Sequence, residues 1–276
     1  MDGRTVDVVD FDDFEAAGWR RQADAYDRHL AAVTARVAGP LLDAAGVVPG
    51  RRLLDLGTGP GQVAAAGAAR GAEVVGVDAA PEMVALASLR HPGIQFQRAD
   101  ARRLPLPDAS MDAVVGNFVI LHVGQPEEVV AEAARVLAPG GVLALSTWDA
   151  PERCRLVGIL IDALREIDLA APPELPDGPP FFRFADVGEF SRLLRGAGFT
   201  EVRVGTVAFR HRVRTAAVLW QALIEGTVRS RALVLGQPAA TRSAIRAAFE
   251  RLAGAYATPD GLDVPVSVTI AAGVRP

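Results

Sequence analysis

The segment Leu53-Leu54-Asp55-Leu56-Gly57-Thr58-Gly59-Pro60-Gly61-Gln62 sets a carboxylate and three alternate glycines between an apolar run and an Ala-rich stretch. Strand, tight turn and helix N-terminus in series are how open α/β folds hold a nucleotide-like ligand. Glycine admits positive φ and lets a ligand reach the backbone with no Cβ in the way. Three later runs end on polar groups in the same manner. Glu73-Val74-Val75-Gly76-Val77-Asp78 closes on an acid, and Pro81 follows at a first helical position. Ile94 to Ala101 alternates like a half-buried strand and carries Asp100 near its end. Met111 to His122 holds the buried-type pair Val114-Val115, with Asn117 at the carboxyl end of that strand. Ligands in such sheets bind outside the carboxyl ends of the strands, so Asp55, Asp78, Asp100 and Asn117 are expected on one rim. Asp78 also suits a helix cap, and Asp100 a simple turn.

The glycine spacing discriminates between ligands. A dinucleotide fingerprint reads G-x-G-x-x-G, and here Gln62 stands where its third glycine belongs. A carboxylate at Asp55 would also repel a pyrophosphate. A ligand with a cationic end and no phosphate fits better, and S-adenosylmethionine has a sulfonium, an ammonium and an adenosine. The D-x-G-x-G-x-G pattern of Asp55 to Gly61 resembles the first motif of the class I S-adenosylmethionine-dependent methyltransferases. Ala134-Arg135-Val136-Leu137-Ala138-Pro139-Gly140-Gly141-Val142-Leu143 is similar to the family's lead into its fifth strand. The resemblance covers about residues 47 to 149, and the small-molecule enzymes of ubiquinone and menaquinone biosynthesis are the most similar subgroup.

The resemblance implies an α/β fold, a Rossmann-like seven-stranded sheet in the order 3-2-1-4-5-7-6 with strand 7 antiparallel, flanked by helices. It implies S-adenosyl-L-methionine as cofactor and S-adenosyl-L-homocysteine as product. The donor contacts it carries over are Asp55, Gly57, Thr58, Gly59 and Gly61 from the first motif, and Asp78, Ala79 and Met83 from the second. Asp100, whose counterpart accepts from the adenine amino group, joins them with Ala101, Asn117 and Phe118. Tyr26, in an Ala-Tyr-Asp context, matches a Tyr-Asp pair often seen in the family's N-terminal helix. His122 follows Asn117 by five residues and is the candidate general base, a role that many relatives with a nearby His do not use.

Composition narrows the field. With 276 residues, 50% hydrophobic and 22% charged, the chain is long enough for one large domain with appended elements. A net charge of −4 argues against nucleic acid, whose phosphates need a basic surface. All 29 basic residues are arginine, which excludes a Walker lysine, a Schiff base and a lysine general base. Cys154 is the single cysteine, and His29, His91, His122 and His211 show no metal-ligand spacing, so no metal is expected. No apolar stretch reaches the ~20 residues of a membrane span. Asp2, Asp7, Asp10, Asp12 and Asp13 are the reverse of a signal peptide's basic start, so the expected compartment is the cytoplasm.

Residues 1–46 are expected to form an N-terminal helical cap, with Phe14, Trp19, Ala23, Tyr26, Leu30, Val33 and Val37 as its apolar stripe. Residues 47–276 form the main domain, with lid segments at about 151–184 and 213–258. Helices are expected over Pro126–Leu137, Glu152–Asp168, Asp186–Ala197 and about 215–230 and 239–256. Late strands are expected over Val142–Trp148, Phe199–Phe209 and Val264–Ala272. Ala170 to Pro180 holds five prolines and reads as a loop, and the Phe181-Phe182-Arg183-Phe184 cluster suits a pocket wall or a loop anchor. The insertion residues Trp220, Leu223, Ile224, Leu233, Leu235 and Phe249 suit an apolar acceptor, a homodimer contact or plain packing. The functional expectation is methyl transfer to a small-molecule acceptor, apolar or aromatic. The alternatives are a non-methylating enzyme of the same fold, such as a cyclase, and an NAD(P)-dependent oxidoreductase.

Overall fold

The computed structural model describes residues 10–169, 172 and 175–276. Asp2, Asp7 and part of the proline-rich Ala170–Pro180 segment lie outside the described residues.

Among the described residues, eight strands make one mixed sheet: β1 (Arg52–Leu56), β2 (Glu73–Asp78), β3 (Gln95–Arg98), β4 (Met111–Asn117), β5 (Leu137–Trp148), β6 (Thr200–Val213), β7 (Ala257–Thr258) and β8 (Gly261–Val274). The order is β3-β2-β1-β4-β5-β8-β6, with β7 paired to β8. β8 runs antiparallel to both β5 and β6, while the β1–β5 pairings are parallel. This is the expected order and the expected antiparallel strand. The additional strand is the two-residue β7, which folds back on β8 through the turn Pro259–Asp260. β5 also starts earlier than expected. Leu137 pairs with Met111 before a register shift, and Gly140 and Gly141 bond to Arg275 across the sheet end.

The helices are α1 (Phe11–His29), α2 (Ala31–Thr34), α3 (Ala38–Ala44), α4 (Gln62–Ala69), α5 (Pro81–Arg90), α6 (Pro126–Val136), α7 (Arg155–Glu166), α8 (Val187–Gly196), α9 (Ala216–Glu225), α10 (Arg229–Leu235) and α11 (Ala239–Ala253). Alternation along the strands sends side chains to two cores. Leu53, Ala113, Val115 and Ala144 face the core shared with α3, α7, α9 and α11. Leu54, Leu56, Val114, Leu143 and Leu145 face the core shared with α6 and α8. Central parallel strands are thereby buried on both faces, which is why they read as continuous apolar runs.

The insertion between β6 and β8 holds three helices rather than two, because Gly226 ends α9 and α10 begins at Arg229. Leu223, Ile224 and Phe249 are buried in the chain's own core, and Trp220 packs edge-on against Phe249. Leu235, at 41% exposure, is the large apolar residue of α9–α11 that faces solvent. No helix among the described residues is long and apolar enough to cross a membrane.

Candidate functional site

The parallel pairing of β1 with β2 and β4 sets Leu56 beside Val77 and Gly116, so these three strands end on one rim. Asp55 lies just inside that rim at 1% exposure. Its Oδ2 accepts from the Thr58 hydroxyl at 2.7 Å and from the Ala64 N–H at 3.0 Å, while Oδ1 is buried without a partner. Burial pushes the Asp55 carboxyl up to about 7 against the pull of those two hydrogen bonds, and the charge on Asp78 adds to the rise. Asp78 is also raised by burial, although its Oδ2 accepts from Gly59 N–H and its Oδ1 from Ala80 N–H, both at 2.9 Å. It therefore ties the glycine turn to the start of α5 without being the helix cap, a position taken by Ala80.

Gly57 has φ +60°, and a Cβ there would sit 2.6 Å from a methyl of Val119. Val119 leads directly into the turn Ile120–His122. Gly57→Ala should thus lower stability by about 1–3 kcal/mol through a strained φ and an overpacked contact. It should also weaken donor binding. Thermal unfolding and calorimetry with S-adenosylhomocysteine check both, and an unchanged pair of values would contradict this reading of the turn.

All of the site residues expected from the sequence line one cavity of about 570 Å³, apart from Gly61. Gly61 lies between the lining residues Gly59 and Gln62. Its φ of +87° starts α4, and a Cβ there would run into His91 and Phe96. Asn117 is held as a spacer, its Oδ1 accepting from Ser146 Oγ and its amide donating to the Thr34 carbonyl. Phe118 takes φ +58°, unusual for a bulky residue, with its N–H donating to Ser146 Oγ at 3.0 Å and its ring 4.0 Å from Trp148. Tyr26 hydrogen-bonds Thr34 through its hydroxyl at 2.7 Å, and burial pushes that hydroxyl up to about 12. Asp100 stands at 50% side-chain exposure, bound by the Arg102 guanidinium, which holds it below the usual carboxylate range.

α1 roofs the cavity and supplies residues that no motif announced. Asp12 accepts from Gly124 N–H and from Arg102, each at 2.5 Å, and so clamps α1 to the ends of β3 and β4. Glu15, at 2% exposure, places Oε2 3.1 Å from His122 Nδ1 and leaves Oε1 buried without a partner. Trp19 stands edge-on to both His122 and Tyr26. Phe181 closes the wall near His122, with centroids 6.5 Å apart. The one sequence signal for Glu15 is an acid on the buried face of α1, in line with Phe11, Gly18 and Gln22.

A methyltransferase-domain family model matches residues 54–145. A demethylmenaquinone methyltransferase of Renibacterium salmoninarum is 38% identical over 111 residues, covering 40% of this chain and 47% of that protein. The chain therefore spans about half the length of that relative. A malonyl-[acyl-carrier protein] O-methyltransferase of Serratia marcescens is 30% identical over 204 residues, covering 69% of this chain and 80% of that one. The chain belongs to the class I S-adenosylmethionine-dependent methyltransferase family. The fold of this methyltransferase-family chain is shared with phosphoethanolamine N-methyltransferase 2 of Haemonchus contortus, solved with S-adenosylhomocysteine (TM-score 0.57, 18% identity, 98% of this chain and 61% of that one). It is also shared with a [4+2]-cyclase, SpnF (TM-score 0.52, 21% identity, 88% and 80% covered).

The family's cofactor is S-adenosylmethionine, and the residues present fit it. The floor beside the glycine turn carries the buried carboxylate of Asp55, one oxygen of which is unpartnered, and the half-buried carboxylate of Asp78. Such a floor suits a cationic, hydroxyl-bearing ligand and disfavours a pyrophosphate.

Proposed function

We propose that this methyltransferase-family chain moves a methyl group from S-adenosylmethionine to a proton-bearing nucleophile on a small aromatic or apolar acceptor. The observation that carries the reading is the His122–Glu15 pair on the wall of the same cavity that the donor-side carboxylates floor. Asp55, Gly57, Thr58, Gly59, Asp78, Ala79, Met83, Asp100, Ala101, Asn117, Phe118 and Tyr26 are assigned to the donor. Bound there, the donor supplies an electrophilic methyl whose leaving group is a neutral thioether, so no general acid is needed. The chain's part is alignment and, for a hydroxyl or an acidic carbon, removal of a proton.

His122 is assigned that proton. With Glu15 ionised, Nδ1–H donates to Oε2 and Nε2 is left as the accepting nitrogen. Trp19 and Phe181 flank the imidazole and give an aromatic acceptor two faces to pack on. Leu223 and Trp148 extend the apolar lining. A demethylmenaquinone analogue and malonyl-acyl-carrier protein are the first acceptors to try, since the relatives carry those names.

Following labelled methyl from the donor into product tests the reaction. Label should leave the donor only when acceptor is present. Donor binding without transfer to any acceptor, together with rearrangement of the acceptor, would favour a non-methylating enzyme of this fold. On an acceptor that turns over, His122→Ala should lose roughly 10²- to 10⁴-fold in kcat with little change in donor affinity. Full turnover in that variant would remove His122 from the chemistry.

A further inference from the structure

Among the described residues, the acceptor side of the cavity contains a cation without a counterpart. Arg229, at the start of α10, lines the cavity. Its Nη2 donates to the Pro179 carbonyl at 3.1 Å, whereas Nη1 is buried and has no hydrogen-bond partner. The guanidinium lies between two rings, with Cζ 5.2 Å from the Phe11 centroid and 5.4 Å from that of Phe181. Stacking of this kind fixes a guanidinium in place but leaves its N–H groups unbonded. Arg102, on the same cavity, shows the contrasting arrangement, since its donors are satisfied by Asp12 and Asp100.

An unsatisfied N–H on a partly buried cation is unfavourable. Burial pushes the Arg229 guanidinium below its usual range, and the charge on Glu15 only partly offsets this. Glu15 itself is committed to His122 and makes no contact with Arg229 short enough for an ion pair. The cavity lining therefore carries both the Glu15 carboxylate and the Arg229 guanidinium, near enough for the first to act on the charge of the second without pairing with it. An anionic group on the acceptor is repelled from the first and attracted to the second.

Resting on the proposed methyl transfer, we infer that Arg229 selects and orients a carboxylate-bearing aromatic acceptor, binding the carboxylate through Nη1 so that the neighbouring nucleophile faces His122. Arg229 is then the residue that decides which molecules enter in a productive direction. The pocket is not simply apolar, as the composition of the insertion suggested.

Salicylate and its neutral isostere salicylamide test this on the full chain saturated with S-adenosylhomocysteine. Wild type should bind salicylate roughly tenfold or more tightly than salicylamide, the effect of one charge-assisted hydrogen bond. Arg229→Gln should abolish the preference, and Arg229→Lys should retain part of it. S-adenosylhomocysteine affinity should be the same in all three proteins, which also reports that the variants are folded. Equal binding of the two probes, binding of neither, or a preference that survives in Arg229→Gln would overturn the assignment. Loss of S-adenosylhomocysteine affinity in Arg229→Gln would place the residue on the donor and overturn it as well. Failure of S-adenosylhomocysteine to bind wild type would refute the donor reading first, and this inference with it.

Discussion

Asp55→Asn should bind S-adenosylmethionine roughly ten- to a hundredfold more weakly than wild type, the scale of a hydrogen bond to a charged group. The same variant should unfold at a higher temperature near neutral pH. The two effects have one cause. Asp55 is buried, one of its oxygens has no partner, and its carboxyl is pushed up to about 7. In the unfolded chain it titrates near 3.8. Between those values the folded protein holds the proton and the unfolded chain does not. Raising the pH therefore favours unfolding across this window, and the contribution levels off above about 7. Asn keeps a carbonyl oxygen for Thr58 and Ala64 and cannot ionise. Its thermal advantage over Asp should be smallest near pH 4, grow as the pH rises to about 7, and then hold steady. Thermal unfolding of both ligand-free proteins across that range checks the sign. An advantage that shrinks with rising pH would contradict the burial argument. A ligand cation near the free oxygen offsets the cost of the charge, so the affinity ratio of wild type to variant should widen as the pH passes about 7.

Asp78→Ala should have the largest effect on donor binding, roughly a hundredfold or more, because two interactions fail together. The side chain is assigned to the donor, and it also accepts from the Gly59 and Ala80 N–H groups. Without it the glycine turn loses its tie to α5, so the backbone that the donor approaches is no longer held in place. Asp78→Asn separates the two parts. Its carbonyl can keep one of the backbone bonds while the charge is gone, so its loss should fall between wild type and Ala. Calorimetric titration of S-adenosylhomocysteine into the three proteins gives the ranking. Equal affinities for wild type and Ala would exclude Asp78 from the donor site.

The parts of this site that the sequence announces are those built by short-range rules. The apolar runs of β1, β2 and β4 end on Asp55, Asp78 and Asn117, and parallel pairing brings those ends together whatever the rest of the chain does. The sheet order is different: it came with the family resemblance and not from these local rules. Alternate glycines look equivalent in a motif, yet in space the third, Gly61, opens α4 and is not among the residues that line the cavity. Glu15, Asp12 and Arg229 carry no motif. Each reaches the cavity through the docking of a helix far away in sequence, as the Asp12–Gly124 and Glu15–His122 contacts illustrate. Spacing along one helix cannot show which distant wall it will meet. A charge at Glu15 on the inward face of α1 is the trace such a contact leaves, and Arg229 on short α10 leaves none. The third insertion helix was missed because Gly226 breaks what otherwise reads as a single apolar helix.

The central claim is that the carboxylate-floored cavity at the ends of β1, β2 and β4 holds the methyl donor. Calorimetry on the full chain with S-adenosylmethionine, S-adenosylhomocysteine and NADPH tests it most directly. The account predicts one-to-one binding of the first two, a weakening of both in Asp78→Ala, and no heat from NADPH. Binding of NADPH with neither of the other two, or binding of S-adenosylhomocysteine that is indifferent to Asp78, would contradict it.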